Sequence, residues 1–124
     1  MFTRIVSVQL KVNGHKEFSQ FFHSKILPTL RKQRGFKDVM LLVTPGAPEV
    51  AAVSIWESRE AAEKYEREVI PQFDSTLSQL AERRPEVKTF SIAYSTMHSI
   101  PAAEVESLEK ESPIIASVPG AGPG

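Results

Sequence analysis

Trp56 and Tyr65 are the two side chains whose types and places in the sequence could handle a small molecule. The lone tryptophan closes an apolar run, Val53-Ser-Ile-Trp56, and Ser58 then opens a helical pattern that carries Tyr65. Two helical turns bring Tyr65 back over the strand that Trp56 ends, so both rings can flank one space. Each has a plainer reading beside this one. A tryptophan at a strand end packs under the next helix with its indole N–H on a carbonyl, and a tyrosine on an inward helix face packs in the core with its hydroxyl needing a partner. In a pocket, the same rings would supply a wall and a hydrogen-bond donor. Phe22 falls with Phe18 and Phe21 at helical spacing, which is core spacing, but lies on the stripe that would face the sheet.

Other chemistries lack their residues. His15, His23 and His98 show no His-x-x-x-His or His-x-His spacing and no carboxylates at matching intervals, so no metal site is expected. His23, between Phe22 and Ser24, reads as a helix-surface residue, although an ordinary imidazole could serve as a base. No Gly-rich phosphate loop, Gly-x-Ser-x-Gly elbow or Ser/His/Asp order is present. The absence of cysteine excludes disulfides, thiolate metal sites and cysteine nucleophiles, and fits a reducing compartment. Fifteen basic residues offset fifteen acidic ones, so no net field recruits nucleic acid or an anionic membrane. Glu60, Glu63, Lys64, Glu66, Arg67 and Glu68 read as a solvated, self-paired helix face. No acid–base pair stands out, so no catalytic residue is assigned and no cofactor is expected.

The elements that must position these residues follow from periodicity. Val6, Val8, Leu10 and Val12 alternate with polar neighbours as a half-buried strand, and Asn13-Gly14 ends it. From Lys16, the residues Phe18, Phe21, Phe22, Ile26 and Leu30 mark an amphipathic helix of roughly 15 to 18 residues. Pro28 should kink it or open a second short helix, and Gly35 should leave it in a left-handed conformation. Phe36–Thr44 and Val50–Trp56 read as strands joined through Pro45-Gly-Ala-Pro48. A helix capped by Ser58 buries Ala62, Tyr65 and Val69 and stops at Ile70, because Pro71 pushes its predecessor out of helical angles. Pro71 then opens a further helix through Leu77 and Leu80 to about Arg83, and Val87–Met97 forms the last strand. The whole is β-α-β-β-α-β, an α+β, ferredoxin-like antiparallel sheet with helices on one face. Val39–Val43 is apolar on both sides, so the face without helices needs cover of its own, which a second copy packed sheet to sheet would give.

The run from Trp56 to Tyr65, together with Leu30-Arg-Lys-Gln-Arg-Gly-Phe36 and the ending Ser95-Thr-Met-His98, resembles the antibiotic biosynthesis monooxygenase-like family of dimeric α/β-barrel proteins. The resemblance covers residues 3 to 98. It implies a homodimer whose sheets close into a shared barrel, and a cofactor-independent monooxygenase or related oxidoreductase acting on a small aromatic or quinone-like substrate between sheet and helices. The alternative is a non-catalytic dimeric module that binds a small ligand or serves as a scaffold. Polyketide oxygenases of the family orient substrate with Asn, Trp, Tyr and Arg side chains, of which Trp56 and Tyr65 match here by position. Heme-degrading members use a first-strand asparagine, a tryptophan at the position of Tyr65 and a histidine further on; this chain has none of the three. The candidate pocket residues are thus Phe22, Trp56, Tyr65 and His98, the last being either a structural edge residue or a group at the barrel mouth.

One domain, 1–98, and a tail, 99–124, are expected from 124 residues of which 41% are hydrophobic. The tail is acidic from Pro101 to Ser112 and Pro/Gly-rich at its end, with Pro113-Ile-Ile115 as the apolar segment able to dock on the barrel or on a partner subunit. No secretory or membrane-spanning stretch is evident, and a cytoplasmic protein is expected.

Overall fold

The alternation that makes the first strand begins earlier than Val6. In the computed structural model of the chain, which describes residues 1–111, strand β1 spans Phe2–Gln9. Phe2, Arg4 and Val8 are all buried. They share one parity, so the inward face of this strand carries a cation. The expected run to Val12 does not form, because Asn13 turns the chain at φ 61° and Val12 is exposed. Leu10 instead bridges to Ala81. Around that bridge Lys11 N–H donates to Leu80 O at 2.9 Å and Glu82 N–H to Gln9 O at 2.7 Å.

Pro28 shapes the first helical stretch. It is built of α1 (His15–Phe21), a π turn (Phe22–Ile26) and α2 (Leu27–Arg31). Proline has no N–H, and its ring crowds the carbonyl one turn back. The wider turn sends Leu27 N–H to Phe22 O and leaves Pro28 in the first turn of α2, where a missing N–H matters least. The second of the two expectations, Pro28 opening a further helix, is the one realised. Gly35 then leaves at φ 85°, and a Cβ there would lie 2.7 Å from Ala61 Cβ, so glycine is required both for conformation and for space.

β2 (Phe36–Val43) and β3 (Glu49–Trp56) form the expected hairpin, with Gly46 at φ 74° in its turn. Ser58 caps α3 (Arg59–Glu68), its hydroxyl accepting from Ala61 N–H at 3.2 Å. A 3-10 turn, Ile70–Phe73, carries Pro71, and α4 (Asp74–Leu80) follows. That helix stops short of Arg83 because Ala81 turns extended to meet Leu10. β4 (Glu86–Ser91) is shorter than the predicted Val87–Met97: alternation continues in the sequence, but the chain leaves the sheet. The strand order is β2-β3-β1-β4, with β1/β3 and β2/β3 antiparallel. This is the α+β, ferredoxin-like arrangement.

Two compact units make up the described chain: Phe2–Phe90, and Met1 with the segment from Ser91 onward. In the second, helix α5 (Ala102–Glu111) is tied to the N-terminal amine by Glu104 Oε2 at 2.6 Å, and Ser95 Oγ accepts from the amides of Met97 and His98. The Pro113–Ile115 segment lies outside the described residues.

In the first unit, the inward face of the sheet packs on the helices through Phe2, Val8, Val50 and Trp56, which meet Phe18, Phe21, Phe22, Leu30, Tyr65 and Phe73 in one core. The register pairs Met40 with Val53 and Leu42 with Ala51 on the opposite face. Met40 and Leu42 are half exposed, at 50% and 49%. Phe90, 51% exposed, alternates with Val87 and Thr89, which border hollows on the helix side, and so belongs to the same open face.

Candidate functional site

Short side chains in the middle of the sheet leave room under the helices. Val6 and Ala52 face each other across β1 and β3, and Val39 stands on β2 opposite Ser54. The bulk of Trp56 and Phe2 fills one end of the layer instead. The result is an open cavity of about 630 Å³, floored by Val6, Val39 and Ala52 and walled by Phe22, Ile26, Tyr65 and Phe73. Its size suits a small polycyclic ligand. The π turn contributes directly, because Phe22 and Ile26, at its two ends, both line the space.

Polar groups border the cavity in two sets. Arg4, Ser54, Tyr65 and Glu66 border the cavity, as do Glu82, Arg83 and Arg84 after α4. Arg4 and Glu66 also border a smaller hollow beside Thr89, so they form a partition between the two spaces. The Tyr65 hydroxyl makes no hydrogen bond to another described residue. Burial pushes its pKa up from 10.0 to about 12, while the nearby positive charge of Arg4 pulls the other way. At neutral pH it is therefore a phenol, a donor that cannot act as a base.

Trp56 is fully buried behind Tyr65, with ring centroids 5.0 Å apart and planes tilted by 36°, and Phe36 meets its other side edge-on at 5.6 Å. Its indole N–H donates not to a carbonyl but to Ser54 Oγ at 2.9 Å, and Ser54 Oγ reaches Arg4 O at 3.3 Å. Trp56 thus orients Tyr65 and is not itself part of the cavity wall. Phe22 and Tyr65 are brought together on that wall. His98 falls in the unit that begins at Ser91, its amide held by Ser95. His23 is exposed, with its ring on Ser19 O at 2.8 Å. No group of His, Cys, Asp or Glu able to hold a metal ion exists among the described residues.

Arg4, Ser54 and Glu66 are the site residues that periodicity did not single out. Glu66 lies within a charged stretch that reads as solvent-facing, yet its Oε2 stands 4.0 Å from Arg4 Nε. The available signal was Arg4 itself: a lone cation at an inward register position of a strand whose neighbours in that register are Phe2, Val6 and Val8.

No family model matches the chain, and no curated protein matches it by sequence. Solved structures do match in fold. A protein of unknown function from Nitrosomonas europaea, NE2512, superposes with a TM-score of 0.68 at 12% identity, over 82% of this chain and 94% of that one. SnoaB, a cofactor-independent oxygenase from Streptomyces nogalater, gives 0.65 at 15%, over 78% and 97%. The ActVA-Orf6 monooxygenase of Streptomyces coelicolor, solved with nanaomycin D, gives 0.64 at 16%, over 79% and 92%. At these identities the likeness is one of fold, and it agrees with the family resemblance drawn from the Trp56–Tyr65 run.

Proposed function

We propose that the cavity between sheet and helices receives a small aromatic or quinone-like molecule and that the protein oxygenates it without a cofactor. The observation that carries this is the cavity itself: apolar over most of its wall, open, and provided at one side with the un-ionised Tyr65 hydroxyl as a donor. Fold neighbours with monooxygenase activity support the reading. The chemistry balances without a bound redox group when the substrate is its own reductant. An acidic methylene within an electron-rich ring system gives up a proton and then electrons to dioxygen. Both of its hydrogens leave in one molecule of water with one oxygen atom, and the other oxygen atom stays on the carbon as a carbonyl. The protein's part is to hold the substrate, with Phe22 and Tyr65 against its rings, and to keep bulk water out. The second reading, a ligand-binding module without catalysis, is favoured by the lack of an evident base, since Tyr65 holds its proton.

A dihydroxyanthrone under isotopically labelled dioxygen separates the two. An oxygenase places one labelled atom in the product quinone and one in water, faster than the reaction without protein. Binding of the anthrone with no acceleration leaves the module reading standing and ends the enzymatic one.

The open face of the sheet supports a homodimer. Met40, Leu42 and Phe90 are each about half exposed there, and apolar side chains left on one face of a sheet mark a surface for association. The proposed assembly is two copies packed sheet to sheet. No helix among the described residues is long and apolar enough to cross a membrane, and a chain without cysteine suits the reducing cytoplasm.

A further inference from the structure

Arg4 is a buried cation that its surroundings do not fully pair. The residue is 5% exposed, and its Nε has no hydrogen-bond partner among the described residues. The carboxylate that faces it, Glu66 Oε2, stands at 4.0 Å, beyond hydrogen-bond reach, on a side chain that is itself 49% exposed. A guanidinium taken out of water is costly unless it is both paired and hydrogen-bonded. Burial presses Arg4 below its ordinary pKa, while Glu66 and Tyr65 pull the other way. Arg4 nevertheless stays charged at any ordinary pH. It lines the same cavity as Tyr65, whose phenol is also without a protein acceptor. A cation with an unused donor, next to a neutral donor and opposite apolar walls, complements one kind of molecule: an apolar ring system carrying a single acidic oxygen group.

We propose that Arg4 is the anion-recognition residue of the cavity and that its ligands are small aromatic acids. The ring body lies against Phe22 and Phe73, and a carboxylate or enolate oxygen accepts from the Arg4 guanidinium where it borders the cavity. Glu66, half in water, is the counterion that this oxygen replaces. Tyr65 donates to the same group. The assignment rests on the cavity being a ligand site, and it narrows that site to acids over neutral molecules of equal shape.

The test pairs naphthoate with its uncharged isostere naphthamide, titrated against the intact chain by calorimetry. The parent protein binds naphthoate at least about tenfold more tightly than naphthamide, the scale of a charge-assisted hydrogen bond. Arg4→Met abolishes that preference and keeps the naphthamide affinity. Glu66→Gln, on a half-exposed side chain, removes the competing carboxylate and raises naphthoate affinity several-fold with naphthamide unchanged. Equal affinities in the parent, a preference that survives Arg4→Met, or a Glu66→Gln variant indistinguishable from the parent each overturns the assignment. If Arg4→Met does not fold, Glu66→Gln decides alone. Naphthamide binding without a preference for the acid rejects the Arg4 role and leaves the cavity reading intact. Failure of both probes to bind the parent overturns both.

Discussion

A phenol buried without a protein acceptor behaves differently from one that is hydrogen-bonded. Deleting the Tyr65 hydroxyl breaks no bond within the fold, so Tyr65→Phe should change stability at neutral pH by less than about 0.5 kcal/mol. A bonded, buried hydroxyl would cost about 0.5 to 1.5 kcal/mol. Affinity for an aromatic acid should fall several-fold in the same variant. The alkaline limb adds a second readout. Below pH 10 the folded and unfolded chains both hold the Tyr65 proton. Between 10.0 and about 12 only the folded chain does, so stability falls as pH rises, by up to about 2 to 3 kcal/mol in total. Urea titrations across that range should show a flatter decline for Tyr65→Phe than for the parent. Parallel slopes would mean that the ring is not shielded from water. The aromatic half of this site was legible, because Tyr65 and Phe22 follow helical spacing. The charged half was missed, because hydropathy places Arg4 and Glu66 in solvent, although Arg4 shares the inward parity of Phe2 and Val8 in β1.

At the scale of elements, local chemistry was legible wherever a residue has no conformational choice. Ser58 as a cap, Gly35 in the left-handed region, and Pro71 between α3 and α4 were each dictated by sterics and hydrogen-bonding need. Ends governed by distant partners were not. Val12 and residues 92–97 alternate as strand residues should, but the bridge between Leu10 and Ala81 and the early departure from β4 depend on contacts that no window of sequence contains. Pro28 lies between the two cases. Its dihedral constraint predicted a disruption, and the π turn shows that the disruption is absorbed. Pro28→Ala should therefore alter stability by no more than about 1 kcal/mol, where a strained helix-interior proline would release about 3 kcal/mol on replacement. Thermal and urea unfolding would measure this, and a gain near the larger figure would mean that the helix is strained at Pro28. Because Phe22 and Ile26 line the cavity from that turn, regularising it should also displace a wall and weaken ligand binding.

For the molecule as a whole, the question is what covers the second face of the sheet. Within the unit Phe2–Phe90 the helices cover one face, and the other presents Met40, Leu42 and Phe90 about half exposed, with Ile5, Val53 and Ile55 between them by register. The apolar run Val39–Val43 made this problem visible in the sequence, since a strand apolar on both sides needs cover on both. In the proposed dimer a second copy would supply a face of matching size and chemistry, and two sheets stacked about 10 Å apart would bury the set in one layer. A stable dimer of this kind should bury at least about 1,200 Å² in total. Met40→Glu is the discriminating change: in a lone protomer the new carboxylate stays largely in water and costs little, whereas in a sheet-to-sheet dimer it is buried opposite apolar groups without a partner. Sedimentation at micromolar concentration should give a dimer for the parent and a folded monomer for Met40→Glu, with circular dichroism unchanged. A parent that sediments as a stable monomer, or a variant that remains dimeric, would show that something other than a second copy meets this face.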